Sequence, residues 1–251
     1  MKFLALIPAR YASTRFPGKP LAILGGKPVI QRVYEQAMTC FDSVCVCTDD
    51  ERIMEAVAQF GGKAIMTDSA CKSGTDRCRQ AYERLGETFD VIVNIQGDEP
   101  FVQTSRLEQI RTCFEDPSTD IATLVKPFLP TDSLEALLNP NSPKVVVTPS
   151  MQAIYFSRSV IPYLRGVEQE KWLSAHQFYK HIGLYAYRAD VLRQITDLEQ
   201  TPLELAESLE QLRWIENGYR IKVGVTHVET IGIDTPEDLQ RAEKHLKDLN
   251  K

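Results

Sequence analysis

Residues 3–7 form a short unbroken apolar run, the pattern of a strand buried on both faces. A polar loop punctuated by glycine and proline follows over 10–20. Gly25-Gly26 marks a turn, Pro28 can open a helix, and Val29, Ile30, Val33 and Ala37 recur behind it at helical spacing. The chain then alternates. A strand over 43–48 precedes a helix over 51–60 that is ended by Gly61-Gly62. A weaker strand over 63–66, a helix over 75–85 and the plainest strand of the chain, 90–95, complete the first hundred residues. Strands alternating with helices predict an α/β fold: a mostly parallel open sheet with helices on both faces.

The pattern is less regular in the second half. Strands are expected over 121–126 and 144–148, and a third over 152–156 follows a Pro149-Ser150 turn, so that the last two form a hairpin. Residues 181–187 alternate, with His181, Gly183 and Tyr185 on one face and Ile182, Leu184 and Ala186 on the other. A single helix is expected over 203–215, with Leu205, Leu209 and Leu212 as its core stripe and Glu207, Glu210 and Gln211 on its polar side. A strand over 221–225 and a terminal helix over 236–249 close the chain. Without repeats or a linker, 1–251 reads as one domain. A smaller mixed β subregion around 120–190 is a candidate dimerisation arm.

Composition narrows the function. The 251 residues carry 29 Lys+Arg against 34 Asp+Glu, with 43% hydrophobic and 25% charged residues, which suits a folded globular chain and not a disordered one. The net charge of −5 argues against a nucleic-acid partner, which needs a positive field. The six cysteines form no CxxC and show no zinc spacing, so they read as free thiols in a reducing compartment. The apolar start is too short for a signal segment, and no run approaches the ~20 residues of a membrane span. The expectation is a cytoplasmic protein with no membrane partner.

Against this acidic background the loop after the first strand stands out. It places Arg10, Arg15 and Lys19, the hydroxyls of Ser13 and Thr14, and Gly18 within ten residues. It leaves the carboxyl end of a strand, where open α/β sheets bind ligands, and Arg and Lys suit phosphate. A solvated basic loop is the plain alternative. It is neither a Walker loop nor a GxGxxG turn. Asp98 follows the 90–95 strand after Gly97; a turn aspartate or an inward ligand are both open. Asp234 precedes Thr235-Pro236-Glu237-Asp238, which already supplies a helix cap, so its carboxylate is free for a hard cation. Ser73-Gly74-Thr75-Asp76 has capping-box spacing.

The segment 7–21, Ile-Pro-Ala-Arg-Tyr-Ala-Ser-Thr-Arg-Phe-Pro-Gly-Lys-Pro-Leu, resembles the opening signature of the 3-deoxy-manno-octulosonate (Kdo) cytidylyltransferase family. Further matches follow in family order at 72–77 (Lys-Ser-Gly-Thr-Asp-Arg), 93–100 (Val-Asn-Ile-Gln-Gly-Asp-Glu-Pro), 155–158, 180–185, 209–213 and 232–239, so the resemblance covers essentially the whole chain. Asp76 and Lys180 stand where Glu and Arg are common, and both keep the charge.

The resemblance implies a nucleotide-diphospho-sugar transferase-like fold, a homodimer, and the reaction of CTP with Kdo to give CMP-Kdo and pyrophosphate with Mg²⁺. It assigns Ala9, Arg10, Ser13 and Lys19 to the nucleotide, with Ser73, Gly74, Arg77 and Gln96 around the cytosine and substrates. Asp98 and Asp234 would hold the metal and, with Arg10 and Lys19, form the catalytic set. Arg158 would pair the Kdo carboxylate, His181 and Tyr185 would line the sugar pocket, and Glu210 and Gln211 would meet its hydroxyls. A cytidylyltransferase for a nine-carbon acidic sugar and a non-catalytic nucleotide-binding protein of the same fold are the rival readings.

Overall fold

The structure, a computed structural model, describes residues 1–228 and 231–249. The chain divides into two units, Met1–Glu108 with Glu229–Lys251, and Gln109–Val228.

In chain order the first unit contains β1 (Phe3–Ala9), a small hairpin of β2 (Ile23–Leu24) and β3 (Lys27–Pro28), α1 (Val29–Met38), β4 (Val44–Thr48), α2 (Glu51–Gln59), β5 (Ala64–Met66), α3 (Gly74–Leu85), β6 (Val91–Asn94) and the first part of α4 (Thr104–Thr112). β1 pairs in parallel with β4 and with β6, and β4 with β5, which gives the order β6-β1-β4-β5. Every residue of β4 and β6 is buried, as unbroken apolar runs require of strands covered on both faces. Val29, Ile30, Val33 and Ala37 are the buried face of α1.

Caps set the helix starts. Asp50 accepts the Arg52 N–H to open α2, and Ser73 with Asp76 forms a capping box at α3. A terminal helix, Pro236–Leu249, is capped the same way by Thr235 and Asp238. Ile233 and Ala242 pack with Leu24 and Val29, which carries this last segment onto the β2–β3 hairpin and the start of α1.

The second unit contains β7 (Ile121–Pro127), α5 (Leu134–Leu138), β8 (Lys144–Val147), β9 (Ala153–Ser157), α6 (Trp172–Ala175), β10 (Tyr179–Arg188), α7 (Ala189–Thr196), α8 (Pro202–Glu207), α9 (Gln211–Glu216) and β11 (Ile221–Val225). β7 lies between an antiparallel β10 and a parallel β11, and β8 and β9 form the expected hairpin. The α/β fold is thus mostly parallel in the first unit and mixed in the second. The second unit spans more than the 120–190 segment that stands out in the sequence.

Two local expectations need correction. The pairing of β10 with β7 shifts between Ile182 and Tyr185, so Gly183 falls in a bulge and not in a regular face with His181 and Tyr185. The Thr123 hydroxyl sits within hydrogen-bond reach of the Ile182 and Leu184 carbonyls that the bulge leaves over.

The helix expected over 203–215 is two helices, broken at Ser208, whose φ of 50° is left-handed. The break has a polar cause. The Arg213 guanidinium donates to both oxygens of the buried Glu204 carboxylate, at 2.7 and 2.5 Å. The Arg158 guanidinium meanwhile takes the Glu207 and Ser208 carbonyls at 2.6 and 3.2 Å. The faces change accordingly: Leu205 is 61% exposed, whereas Gln211, expected on the polar side, is 4% exposed.

Candidate active site

The loop after β1 is closed on itself. The Tyr11 carbonyl accepts the N–H groups of Ser13 and Gly18, both at 2.9 Å. Gly18 has φ of 72°, a backbone conformation that favours glycine, and a side chain there would crowd the Tyr11 ring at 3.0 Å. The Arg52 guanidinium lies 3.3 Å from the centroid of the Tyr11 ring. Lys19 then starts a short 3₁₀ turn, and its side chain is only 17% exposed.

The turn after β6 comes equally close. A Cβ on Gly97 would stand 2.8 Å from the Pro8 carbonyl, so only glycine lets this turn press against the end of β1. Asp98 follows, and its carbonyl accepts the Ile233 N–H at 2.8 Å, which stitches the Asp98 turn to the segment bearing Asp234. The neighbouring Glu99 is held at 3.2 Å by the fully buried Arg106.

A cavity of about 320 Å³ opens at these strand ends. Ala9, Arg10, Ser13, Lys19, Ser73, Gly74, Arg77, Gln96, Asp98 and Asp234 all line it. Residues up to 225 positions apart in sequence, all predicted for the nucleotide or metal, thus share one wall system within the first unit. Asp234 is free of cap duty, as expected, because Asp238 takes the Asp234 and Thr235 N–H groups.

The charges inside are partly matched. Lys19 Nζ donates to Asp98 Oδ2 at 2.5 Å and to Asp234 Oδ1 at 3.1 Å. Burial alone would lower the Lys19 pKa, but the two carboxylates outweigh it and hold it above the ordinary value. Arg77 is buried, and its guanidinium is committed to Thr67 and Asp49 at 2.5 and 2.9 Å, so it braces the start of α3. Among the described residues no acid pairs with Arg10 or with Lys72, which also lines the cavity.

Arg15, which reaches Asp234 at 3.0 Å, and Lys72 are the cavity cations that sequence reasoning left out of the site. Both lie inside the quoted motifs, and their charge in an acidic chain was the available signal.

No group of three or more His, Cys, Asp or Glu with metal-binding geometry occurs among the described residues. Two hard carboxylates beside a cationic loop nonetheless suit Mg²⁺, which takes one or two carboxylates and fills its remaining positions with phosphate oxygens and water.

The residues predicted for the sugar lie in the second unit. His181 Nε2 is 3.1 Å from the Thr123 hydroxyl, and its ring contacts Phe156 and Tyr185. Burial pushes its pKa down to about 3, so it is neutral. Tyr185 packs edge-on against Trp214, and burial holds its hydroxyl in the protonated form. Tyr185 Oη and Gln211 Nε2 are buried without a hydrogen-bond partner; the nearby Thr123 hydroxyl is already engaged by His181 and the bulge. Glu210 stands beside Tyr185 at the entry to α9. Arg158 is held by backbone carbonyls of Pro140, Glu207 and Ser208.

Residues 4–223 match the cytidylyltransferase family. A protein of Phocaeicola vulgatus named 3-deoxy-manno-octulosonate cytidylyltransferase is 69% identical over 247 residues, 98% of either chain. One of the same name from Parabacteroides distasonis is 65% identical, over 96% of this chain and 97% of its own. A solved CMP-2-keto-3-deoxy-manno-octonic acid synthetase in complex with CTP is 40% identical, covers 99% of this chain and 100% of its own, and superposes with a TM-score of 0.91. The chain belongs to the 3-deoxy-manno-octulosonate cytidylyltransferase family of nucleotidyltransferases.

No helix among the described residues is long and apolar enough to cross a membrane.

Proposed function

We propose that this protein transfers CMP from CTP to the anomeric hydroxyl of Kdo, releasing pyrophosphate and activating the sugar for lipopolysaccharide synthesis. The observation that carries the reading is the single cavity where the basic loop, the capped start of α3, and Asp98 and Asp234 converge.

The parts fit the chemistry. Arg10 and Lys19 neutralise and orient the triphosphate, and Ser13 adds a hydroxyl donor from the same loop. Positioning and charge stabilisation are most of what such a transfer needs. Ser73 and Gly74 offer the end of α3 to the cytosine, and Gln96 stands beside them. Asp98 and Asp234 would hold Mg²⁺, which when bound supplies charge neutralisation at the reacting phosphate and favours ionisation of the attacking hydroxyl.

In the second unit the unpaired Tyr185 and Gln211 groups have hydrogen-bonding capacity left for a polyhydroxy ligand. Glu210 and the neutral His181 add polar edges, and Arg158 is the cation assigned to the sugar carboxylate. Six free cysteines suit a cytoplasmic setting, and the family resemblance suggests a homodimer.

The test is pyrophosphate release with four nucleoside triphosphates against Kdo and N-acetylneuraminate. The expected result is turnover of CTP with Kdo alone, dependent on Mg²⁺. Equal turnover of N-acetylneuraminate, or none of Kdo, would overturn the substrate assignment.

A further inference from the structure

Apart from Arg77, which is committed to Thr67 and Asp49, the cavity contains two classes of cation. Arg10 and Lys72 have no acid partner among the described residues. Lys19 and Arg15 are spent on the aspartates: Lys19 bridges Asp98 and Asp234 at 2.5 and 3.1 Å, and Arg15 adds a second contact to Asp234 at 3.0 Å. The two carboxylates and two cations sum to zero charge. The Lys19 ammonium is held in place, because the 3₁₀ turn that begins with Lys19 follows Gly18, whose N–H is tied to the Tyr11 carbonyl.

We propose that Lys19, assisted by Arg15, is an internal counter-ion that closes the Asp98–Asp234 pair in the nucleotide-free protein, so that a divalent cation gains the pair only with or after a nucleoside triphosphate. The proposal rests on the reading that this pair holds Mg²⁺. An ammonium within hydrogen-bond reach of both carboxylates takes the oxygens a hard cation needs, and it repels that cation at short range.

The unpaired Arg10 and Lys72 receive the phosphates first, since that breaks no ion pair. The concentrated negative charge of the triphosphate then competes with the aspartates for Lys19 and Arg15. Two monocations leave the carboxylates and one dication replaces them, so the aspartates are neutralised before and after. The family reading by itself does not set this order of arrival.

The test uses Mn²⁺ as the probe on the full chain, following the electron paramagnetic resonance signal of the free ion. Without nucleotide, the wild-type protein should leave Mn²⁺ free, and with CTP it should take up more Mn²⁺ than the same CTP binds without protein, an excess that Asp98→Asn removes. Lys19→Met should take up Mn²⁺ without nucleotide at least ~10-fold more tightly than wild type, the effect of removing a charge from the contact shell. Lys19→Arg, which keeps the charge, should stay closed. Adding Asp98→Asn to Lys19→Met should abolish the uptake. Circular dichroism melts establish that each variant is folded.

Uptake by nucleotide-free wild type that Asp98→Asn removes would overturn the proposal and leave the metal reading intact. Folded Lys19→Met that takes up no Mn²⁺ would also overturn it. If wild type with CTP takes up no more Mn²⁺ than CTP alone, the metal reading is overturned, and the proposal with it.

Discussion

The two units solve the same problem, placing polar side chains, by opposite means. In the first unit the functional groups hang on turns at the ends of parallel strands, and few of them carry the fold. Arg10 makes no ion pair among the described residues, and Asp98 and Asp234 pair only with loop cations. In the second unit the polar groups are part of the packing. Glu204 with Arg213, Arg158 with three carbonyls, and His181 with Thr123 hold the bulge and the broken helix together. Substitutions at the first unit's site should therefore cost activity with little stability, whereas those in the second unit should cost stability, with activity lost as well where the group is assigned to the sugar.

The largest effect is expected at the aspartates. Asp98→Asn and Asp234→Asn should each lower kcat/KM for pyrophosphate release by at least ~10²-fold, the scale of losing one preorganised electrostatic group. Their melting temperatures should stay near wild type, because neither carboxylate is fully buried. Raised Mg²⁺ should restore part of the activity. Loss of activity together with unfolding would erase the distinction between the units.

The second unit should show the converse. Glu204→Ala removes the carboxylate that takes two of the Arg213 guanidinium's hydrogen bonds, in a site where the two side chains are only 6% and 12% exposed. Breaking such a pair costs about 3 kcal/mol, to be read from urea unfolding. Activity of the fraction that remains folded should change far less than in Asp98→Asn.

A smaller effect sharpens the picture of the cavity. Lys72→Met removes an exposed cation with no acid partner, so stability should be unchanged within about 0.5 kcal/mol. The apparent KM for CTP should rise several-fold while kcat holds. An unchanged KM would show that Lys72 is only a solvated lysine at the rim.

The smallest effect is a pH dependence. His181 has a folded pKa of about 3 because burial disfavours its charged form, against ~6.5 for an exposed histidine. The unfolded chain binds the proton first, so the stability it contributes is complete above ~6.5 and falls as pH drops toward the folded value. Lys19 shifts upward, so its contribution is complete below the ordinary lysine value and is lost as pH rises from there through its folded value. Melting temperature should therefore drop between neutral and mildly acid pH in wild type, and drop less in His181→Gln. Equal slopes would remove His181 from the account.

Legibility followed the same division. Most strands and helices of the first unit are written in local periodicity, some bounded by a signal such as Gly61-Gly62 after α2 or the Ser73 cap before α3, but α4 over 104–112 is not among those the pattern predicts. The loops that carry its site announce themselves by charge and by glycines with a steric reason, Gly18 and Gly97. What local pattern cannot carry is pairing across the chain. That Lys19 bridges Asp98 and Asp234 depends on the Ile233–Asp98 hydrogen bond and on the terminal helix packing beside Leu24 and Val29.

In the second unit the leucines at 205, 209 and 212 have helical spacing, yet the Glu204–Arg213 fork and the carbonyls held by Arg158 favour a break at Ser208. Tertiary polar contacts there override a sound local pattern. The bulge in β10 escaped for the same reason, since Thr123 on another strand absorbs its carbonyls.

The central claim is that the cavity of the first unit binds the nucleotide whose CMP is transferred. A crystal structure of this protein with CTP and Mg²⁺ tests it most directly. The account predicts the triphosphate on Arg10 and Lys19, the cytosine against Ser73 and Gly74, and Mg²⁺ between the phosphates and Asp98 with Asp234. A nucleotide bound away from these residues, with Lys19 still on both aspartates, would contradict it.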